Sequence, residues 1–258
     1  MKIAGLDVLY LSHVCFAFRL PTGETILTDP LFADGFSAKR HFERYLSPPS
    51  IPVESIRECT AIFVSHIHGD HFDPQAIATI VGNTGAEVWA PPEVIDALRV
   101  RMGDGPRLVA LADGDHWKLG EGQVQFFAGY DNACDDQARP NKFSFSLRIP
   151  VGSIFYSGDC HQAPPGMIGH GVDAVFSWVH PNDSKLKAFI EAVPSKAYVL
   201  MHGDRFDPGD FYCNADAEAE KRRVLRFAPN MTVIAPERVT TAGEMSGQRP
   251  ASRSARAF

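Results

Sequence analysis

The sequence predicts an α/β sandwich organised around one strand-to-helix loop, and three observations carry that expectation. The first is the stretch Ser65-His66-Ile67-His68-Gly69-Asp70-His71, which places three imidazoles and a carboxylate within six positions. It follows the apolar run Ala61-Ile62-Phe63-Val64, which reads as a buried strand. It precedes Asp73-Pro74, which reads as a helix start with Asp as N-cap and Pro at the first helical position. The second is the strand–helix–strand–helix–strand order after that point, followed by hairpins, which suits stacked sheet and helix layers. The third is size and composition. At 258 residues, 45% hydrophobic and 22% charged, the chain is ordinary globular material. It is long enough for two sheets between two helix layers.

Taken in order, Leu6 to Leu20 is rich in Val, Leu and Phe and is expected to pair with Thr25-Ile26-Leu27-Thr28-Asp29 across the turn Pro21-Thr22-Gly23-Glu24. Residues 30 to 58 are irregular and hold several aromatics and the Pro48-Pro49 pair, composition that suits either a pocket wall or a small satellite core. After the histidine loop, Gln75 to Val81 is expected as a helix ending near Gly82. Glu87 to Ala90 reads as a strand, Pro92 to Met102 as a helix and Arg107 to Ala112 as a strand. The turn segment Gly114 to Gly120 leads into Val124 to Phe127. His116 belongs to that turn and is expected to face solvent. Phe143 to Ile149 and Ser153 to Tyr156 form the next hairpin, ending in Ser157-Gly158-Asp159-Cys160-His161. Val172 to Trp178 is a strand leading to His180, Lys185 to Val193 a helix, and Ala197 to Met201 a buried strand ending at His202. A charged helix, Ala215 to Phe227, and a strand, Met231 to Ala235, complete a single domain over residues 1–240. From Thr241 the Gly, Ser, Arg and Ala content reads as a flexible tail.

The function classes narrow from composition. A net charge of −6 and a pI near 5.9 disfavour nucleic-acid binding, which usually shows a basic face. No run of eighteen or so apolar residues is present, so no membrane span is expected. The five scattered cysteines, with no Cys-x-x-Cys, suit reduced thiols in a cytoplasmic protein. A single histidine on a loop would be unremarkable. Crowded imidazoles beside a carboxylate repel one another when protonated, and a divalent cation satisfies their lone pairs together. In extended backbone, His66 and His68 point to the same side. Asp70 and His71 lie past the bend, where they can face a second ion.

The histidine loop resembles the His-x-His-x-Asp-His signature of the metallo-β-lactamase superfamily. The resemblance implies a four-layer αββα sandwich of the metallo-β-lactamase type and a metal-dependent hydrolase. It implies metal ligation by His66, His68, Asp70, His71, Asp159 and His202, with Asp159 bridging two ions. It implies that Asp29 supports the loop by hydrogen bonding, although Asp29-Pro30 is also a common turn pair. His13 falls where many members carry a Gly-His pair; a strand histidine is an equal reading, so His13 stays outside the ligand set. The segment Ala128 to Ala133 lacks the family's usual third site-one histidine. Ser157 to His161, Tyr130-Asp131-Asn132 and Met201 to Asp204 resemble the ascorbate-6-phosphate lactonase-like branch, which has an Asp at that place. Asp131 is therefore the expected third ligand of site one. The rival expectation gives Asp131 to substrate or a backbone amide and leaves site one weak.

The implied cofactors are two divalent metal ions, Zn²⁺ or Mn²⁺, with Fe²⁺ admitted by the added carboxylate. The implied chemistry is attack of metal-activated hydroxide on a small ester, lactone or related substrate. Asp70 orients the nucleophile, and His161 and His180 either donate to the oxyanion or leaving group or simply pack beside the site. The alternatives are a phosphodiesterase of the same fold and a non-hydrolytic metal-binding member. The expected partner is a small-molecule substrate, with no nucleic acid and no membrane.

Overall fold

The apolar stretch near the N-terminus folds as two strands. Leu6–Ser12 (β2) turns at His13-Val14 into Cys15–Arg19 (β3). No Gly or Asn marks that turn. His13 makes it by adopting a left-handed conformation, φ 47°, which a non-glycine residue seldom takes. The computed structural model describes residues 1–32, 49, 51–103, 107–129, 142–160, 162–202 and 216–239.

The first sheet runs in sequence order from β1 (Lys2–Ile3) through β2, β3, β4 (Thr25–Thr28), β5 (Ala61–Phe63) and β6 (Glu87–Ala90) to β7 (Leu108–Ala110). Its first four strands are antiparallel neighbours and β4 to β7 are parallel. Helices α1 (Pro74–Thr84) and α2 (Pro92–Met102) make the crossovers. The second sheet comprises β8 (His116–Leu119), β9 (Gly122–Gly129), β10 (Lys142–Ile149), β11 (Gly152–Tyr156), β12 (Val172–Ser177), β13 (Ser195–Leu200) and β14 (Thr232–Ile234). It repeats the pattern: antiparallel to β11, then parallel, with α3 (Asp183–Ala192) and α4 (Ala217–Phe227) crossing over.

Three apolar layers define four structural layers. Between the sheets lie Val8, Phe16, Phe18, Phe63, Phe126, Phe145, Tyr156 and Phe176, all fully or almost fully buried. Edge-to-face pairs such as Phe18–Phe176 at 4.8 Å and Phe63–Phe145 at 4.9 Å fill this layer. Ile77, Ile80, Val94, Ile95 and Leu98 seal the outer face of the first sheet. Leu186, Phe189, Ile190 and Val224 seal that of the second. The αββα sandwich expected from the sequence is the architecture observed.

Element ends differ in physically readable ways. Helix α1 continues through Gly82 to Thr84 and stops at Gly85, whose φ of 70° forms the left-handed C-cap. Asp73 caps its start by accepting from the amides of Gln75 and Ala76. His116 lies in strand β8 rather than in the turn, and it is exposed as expected. Cys15, Cys59 and Cys160 are buried free thiols. No helix among the described residues is long and apolar enough to cross a membrane. The candidate residues Asp131 and His161, most of the 30–58 segment and the C-terminal tail lie outside the described residues.

Candidate metal centre

Strand direction gathers the candidate residues at one edge of the sandwich. The parallel strands β4 and β5 end at Asp29 and at the His66–His71 loop. In the second sheet, β11 ends before Asp159, β12 before Trp178 and His180, and β13 before His202. Strand β2 runs parallel to β4, because each is antiparallel to β3. Its terminal turn therefore brings His13 to the same edge. Strand β10 is antiparallel to β11, so its first residue, Lys142, lies there too. Carboxyl ends of parallel strands are where open α/β sheets place ligands.

Asp29 is the fixed point of the loop. Its carboxylate is fully buried and accepts hydrogen bonds from the Ser65 amide at 2.6 Å, the Ser65 hydroxyl at 2.9 Å and the Tyr156 hydroxyl at 2.7 Å. It also lies 2.9 Å from His71 Nδ1. In the neutral ring, that contact puts the His71 hydrogen on Nδ1 and turns the Nε2 lone pair inward. A carboxylate behind an imidazole is how many metal-ligating histidines are oriented. The Ser65 carbonyl accepts from the Phe143 amide at 2.9 Å, which joins the loop to the second sheet. A side chain at Gly158 would sit 2.9 Å from Ser65 Cβ, so only glycine lets the Asp159 turn approach.

The inward-facing atoms form a cluster. Asp159 divides its two oxygens between two sides. Oδ1 lies 2.7 Å from His202 Nε2 and 3.2 Å from His71 Nε2. Oδ2 lies 3.6 Å from His66 Nε2 and 3.5 Å from Lys142 Nζ. His66 and His68 present adjacent rings, centroids 4.5 Å apart. Asp70 stands between the sides: its ligand atom groups with those of His66 and His68, and also with those of His13, His71 and His202. Three of the four described non-glycine residues with positive φ (His13, Asp29 and His202) sit here. Such backbone persists where surrounding structure over-determines it. The His202 amide donates to the His13 carbonyl at 3.2 Å, tying the two sheets at the centre.

The donor set fits a divalent ion. Apart from their close approaches to one another, His66 Nε2, His71 Nε2, His202 Nε2 and Asp159 Oδ1 are buried without a hydrogen-bond partner among the described residues. Buried polar atoms normally have partners. Imidazole nitrogen with carboxylate oxygen is a donor combination that zinc, manganese and iron accept. The electrostatics mark a pocket that attracts positive charge. Burial lowers the His71 imidazole, yet the Asp159 and Asp29 carboxylates outweigh it and raise His71 to about 9, so a metal ion would take the place of the proton on Nε2. His66 is held well below its ordinary value by burial and by the neighbouring His71. Burial would push Asp159 up, but His71, Lys142 and His202 hold it well below the usual carboxylate range.

Of the residues picked out from sequence, His66, His68, Asp70, His71, Asp159 and His202 come together. His180 stands aside from the three groups of metal-competent residues. Its Nδ1 accepts from the Asn182 amide at 2.9 Å, and its ring packs on Trp178, which packs in turn on His202. His13 belongs to the cluster, with Nε2 3.7 Å from Asp70 Oδ2 and its ring 4.2 Å from that of His202. Sequence reasoning left it out because the turn that aims it inward has no local signal. Lys142 lies one residue before the strand expected from Phe143 and was not among the candidates, yet it is 2% exposed.

A two-sheet αββα sandwich with a His/Asp cluster at the strand ends is the arrangement of metallo-β-lactamase-fold proteins. Residues 24–202 match the family described as "Beta-lactamase superfamily domain", and the chain belongs to that family. It is 22% identical over 179 residues to the "Probable L-ascorbate-6-phosphate lactonase UlaG" of Shigella boydii, across 59% of this chain and 49% of that one. The chain thus spans about half the length of the curated relatives it matches. Among solved structures, the isothiocyanate hydrolase from Delia radicum gut bacteria superposes with a TM-score of 0.65 at 16% identity, over 88% of this chain and 96% of that one. The metallo-beta-lactamase fold protein YhfI from Bacillus subtilis gives 0.61 at 11% identity, over 92% and 95%. CmlA, a diiron beta-hydroxylase from Streptomyces venezuelae, gives 0.60 at 17% identity, over 90% of this chain and 52% of that one. At these identities the structural likeness speaks to fold alone.

Proposed function

We propose that the protein is a metal-dependent hydrolase acting on a small ester, lactone or related substrate, with positions for divalent ions on either side of Asp159. The observation that carries this reading is the set of four buried, inward-facing atoms, on His66, His71, His202 and Asp159, that crowd one another and have no other hydrogen-bond partner among the described residues. His66 and His68 serve one position. Asp70, His71, His202 and His13 serve the other, with one oxygen of Asp159 toward each. Zn²⁺ suits the imidazoles, and the two carboxylates also admit Mn²⁺ or Fe²⁺. A bound divalent ion supplies a water of lowered pKa and polarises an acceptor oxygen.

The chain's own groups do the rest. Asp29 keeps the His71 proton on Nδ1, so that Nε2 stays a donor of electrons. Asp70 has 22% of its side chain exposed, the highest fraction among the paired carboxylates of the centre, which supports giving it the role of orienting a nucleophilic water and accepting its proton. When neutral, His180 carries its hydrogen on Nε2, because Nδ1 accepts the Asn182 amide. The lactonase name of the sequence relatives supports the ester and lactone class without naming the substrate.

The test is a panel of lactones, aryl esters and bis-aryl phosphates, assayed with metal-reconstituted and chelator-stripped protein. Turnover of an ester or lactone that vanishes on stripping and returns with metal supports the reading. Hydrolysis of the phosphates alone indicates a phosphodiesterase. No turnover of any panel member by fully loaded protein overturns the assignment to esters and lactones.

A further inference from the structure

We infer that Lys142 makes the two sides of the centre unequal: its ammonium holds the site-one oxygen of Asp159, so the protein binds one divalent ion tightly and a second only weakly. This inference rests on the metal-centre reading above. It starts from the split carboxylate. Asp159 Oδ1 faces two imidazole nitrogens within 3.2 Å, whereas Oδ2 faces His66 Nε2 at 3.6 Å and Lys142 Nζ at 3.5 Å. A cation therefore already stands on the site-one oxygen.

Lys142 is built into place. It opens strand β10, paired with Gly129 of β9. The next residue, Phe143, donates its amide to the Ser65 carbonyl at the base of the histidine loop. A Cβ on Gly129 would lie 2.6 Å from Cys160 Sγ, so the backbone that carries Lys142 is pressed against the turn that carries Asp159. The Lys142 side chain is 2% exposed. An ammonium so enclosed cannot yield its place by swinging into water without moving the strand end.

Charge then separates the two sides. Site two offers His13, Asp70, His71 and His202, with Asp159 Oδ1 in reach. A divalent ion there is balanced by the Asp70 and Asp159 carboxylates. Site one, among the described residues, offers His66, His68 and shared oxygens of Asp70 and Asp159. A second divalent ion there adds two positive charges beside the Lys142 ammonium and brings no further described carboxylate. Repulsion between like charges a few ångströms apart in a buried site is large.

The test is metal stoichiometry on the full chain, read by isothermal titration with Zn²⁺ or Mn²⁺ alone and by elemental analysis after equilibrium dialysis. The parent is expected to take one ion tightly and a second roughly 100-fold more weakly. In Lys142→Met, the second ion is expected to come within about tenfold of the first, because the competing cation is gone. Lys142→Gln, which keeps a polar head without charge, serves should the methionine variant not melt cooperatively. Two ions of equal affinity in the parent overturn the inference. So does a second phase unmoved in a folded neutral variant. Absence of any bound divalent ion overturns the metal-centre reading itself, a different outcome from two equal sites.

Discussion

Replacing Asp29 by Asn keeps the shape of the site and reverses one hydrogen-bond direction. In the parent, Oδ1 accepts from the Ser65 amide at 2.6 Å. Oδ2 accepts from the Tyr156 and Ser65 hydroxyls at 2.7 and 2.9 Å and faces His71 Nδ1 at 2.9 Å. An asparagine retains the Oδ1 contact but presents an amino group where Oδ2 was. Tyr156 can redirect its hydroxyl to the Val14 carbonyl, 3.0 Å away. For His71 the only other hydrogen-bonding neighbour of Nδ1 among the described residues is the Ser65 hydroxyl at 3.1 Å; where the amide hydrogen takes Nδ1 instead, the ring proton moves to Nε2, the atom that faces Asp159 and Asp70. A protonated Nε2 cannot ligate. Loss of a carboxylate behind a metal-bound histidine costs roughly 10–100-fold in affinity, or about 1.4–2.7 kcal/mol. Fold stability also falls, since a buried charge-assisted network is broken, by about 2–4 kcal/mol. The assay is competition for the tight ion against a chromophoric chelator, with circular dichroism to verify the fold. Affinity of the folded variant within about threefold of the parent would refute the role given to Asp29.

Asp159→Ala should abolish turnover and lower metal content while the variant still melts cooperatively; activity within about tenfold of the parent at full metal content, a barrier change of only about 1.4 kcal/mol, would make Asp159 a mere turn residue. Glu220, remote from the centre, is raised by burial from 4.5 to about 7, with Arg223 opposing and Asp216 reinforcing the shift. The native state therefore binds the extra proton, and stability is lost as pH rises from the unfolded value through about 7, by about 3 kcal/mol in all. Glu220→Gln should flatten that loss, so its stability relative to the parent should grow between pH 4.5 and 8 in urea titrations; parallel pH profiles would contradict this. Asp73→Ala removes the α1 cap and the acceptor for the Phe32 amide at 3.1 Å, and should cost about 1–2 kcal/mol in chemical unfolding. A loss below about 0.3 kcal/mol would show that the cap is replaced by water.

The fold was legible where local pattern and tertiary environment agree. Runs such as Ala61–Phe63 and, past the half-buried Asp173, the rest of Val172–Ser177 are buried on both faces, and Asp73-Pro74 starts its helix as such a pair should. The histidine loop was legible because the spacing of its donor side chains is local. Asp159 and His202 emerged only through their order along the chain, since a strand-end Gly-Asp or a lone His carries little information by itself. His13 and Lys142 were hidden for different reasons. His13 depends on a left-handed turn that no glycine announces. Lys142 depends on strand β10 running antiparallel to β11, which turns an apparently exposed strand start into the buried side of the site. The end of α1 at Gly85 rather than Gly82 reflects packing. Gly82 meets no steric demand inside the helix, while Gly85 supplies the positive φ that ends it.

The central claim is that the cluster of His66, His71, His202 and Asp159 is a metal centre. The most direct measurement is elemental analysis of the purified chain after chelator stripping, reconstitution with Zn²⁺, Mn²⁺ or Fe²⁺ and removal of free ion. The account predicts about one tightly held divalent ion per chain, lost in a folded His71→Ala variant. Less than about half an ion per chain with every one of these metals, in protein that melts cooperatively, would contradict it.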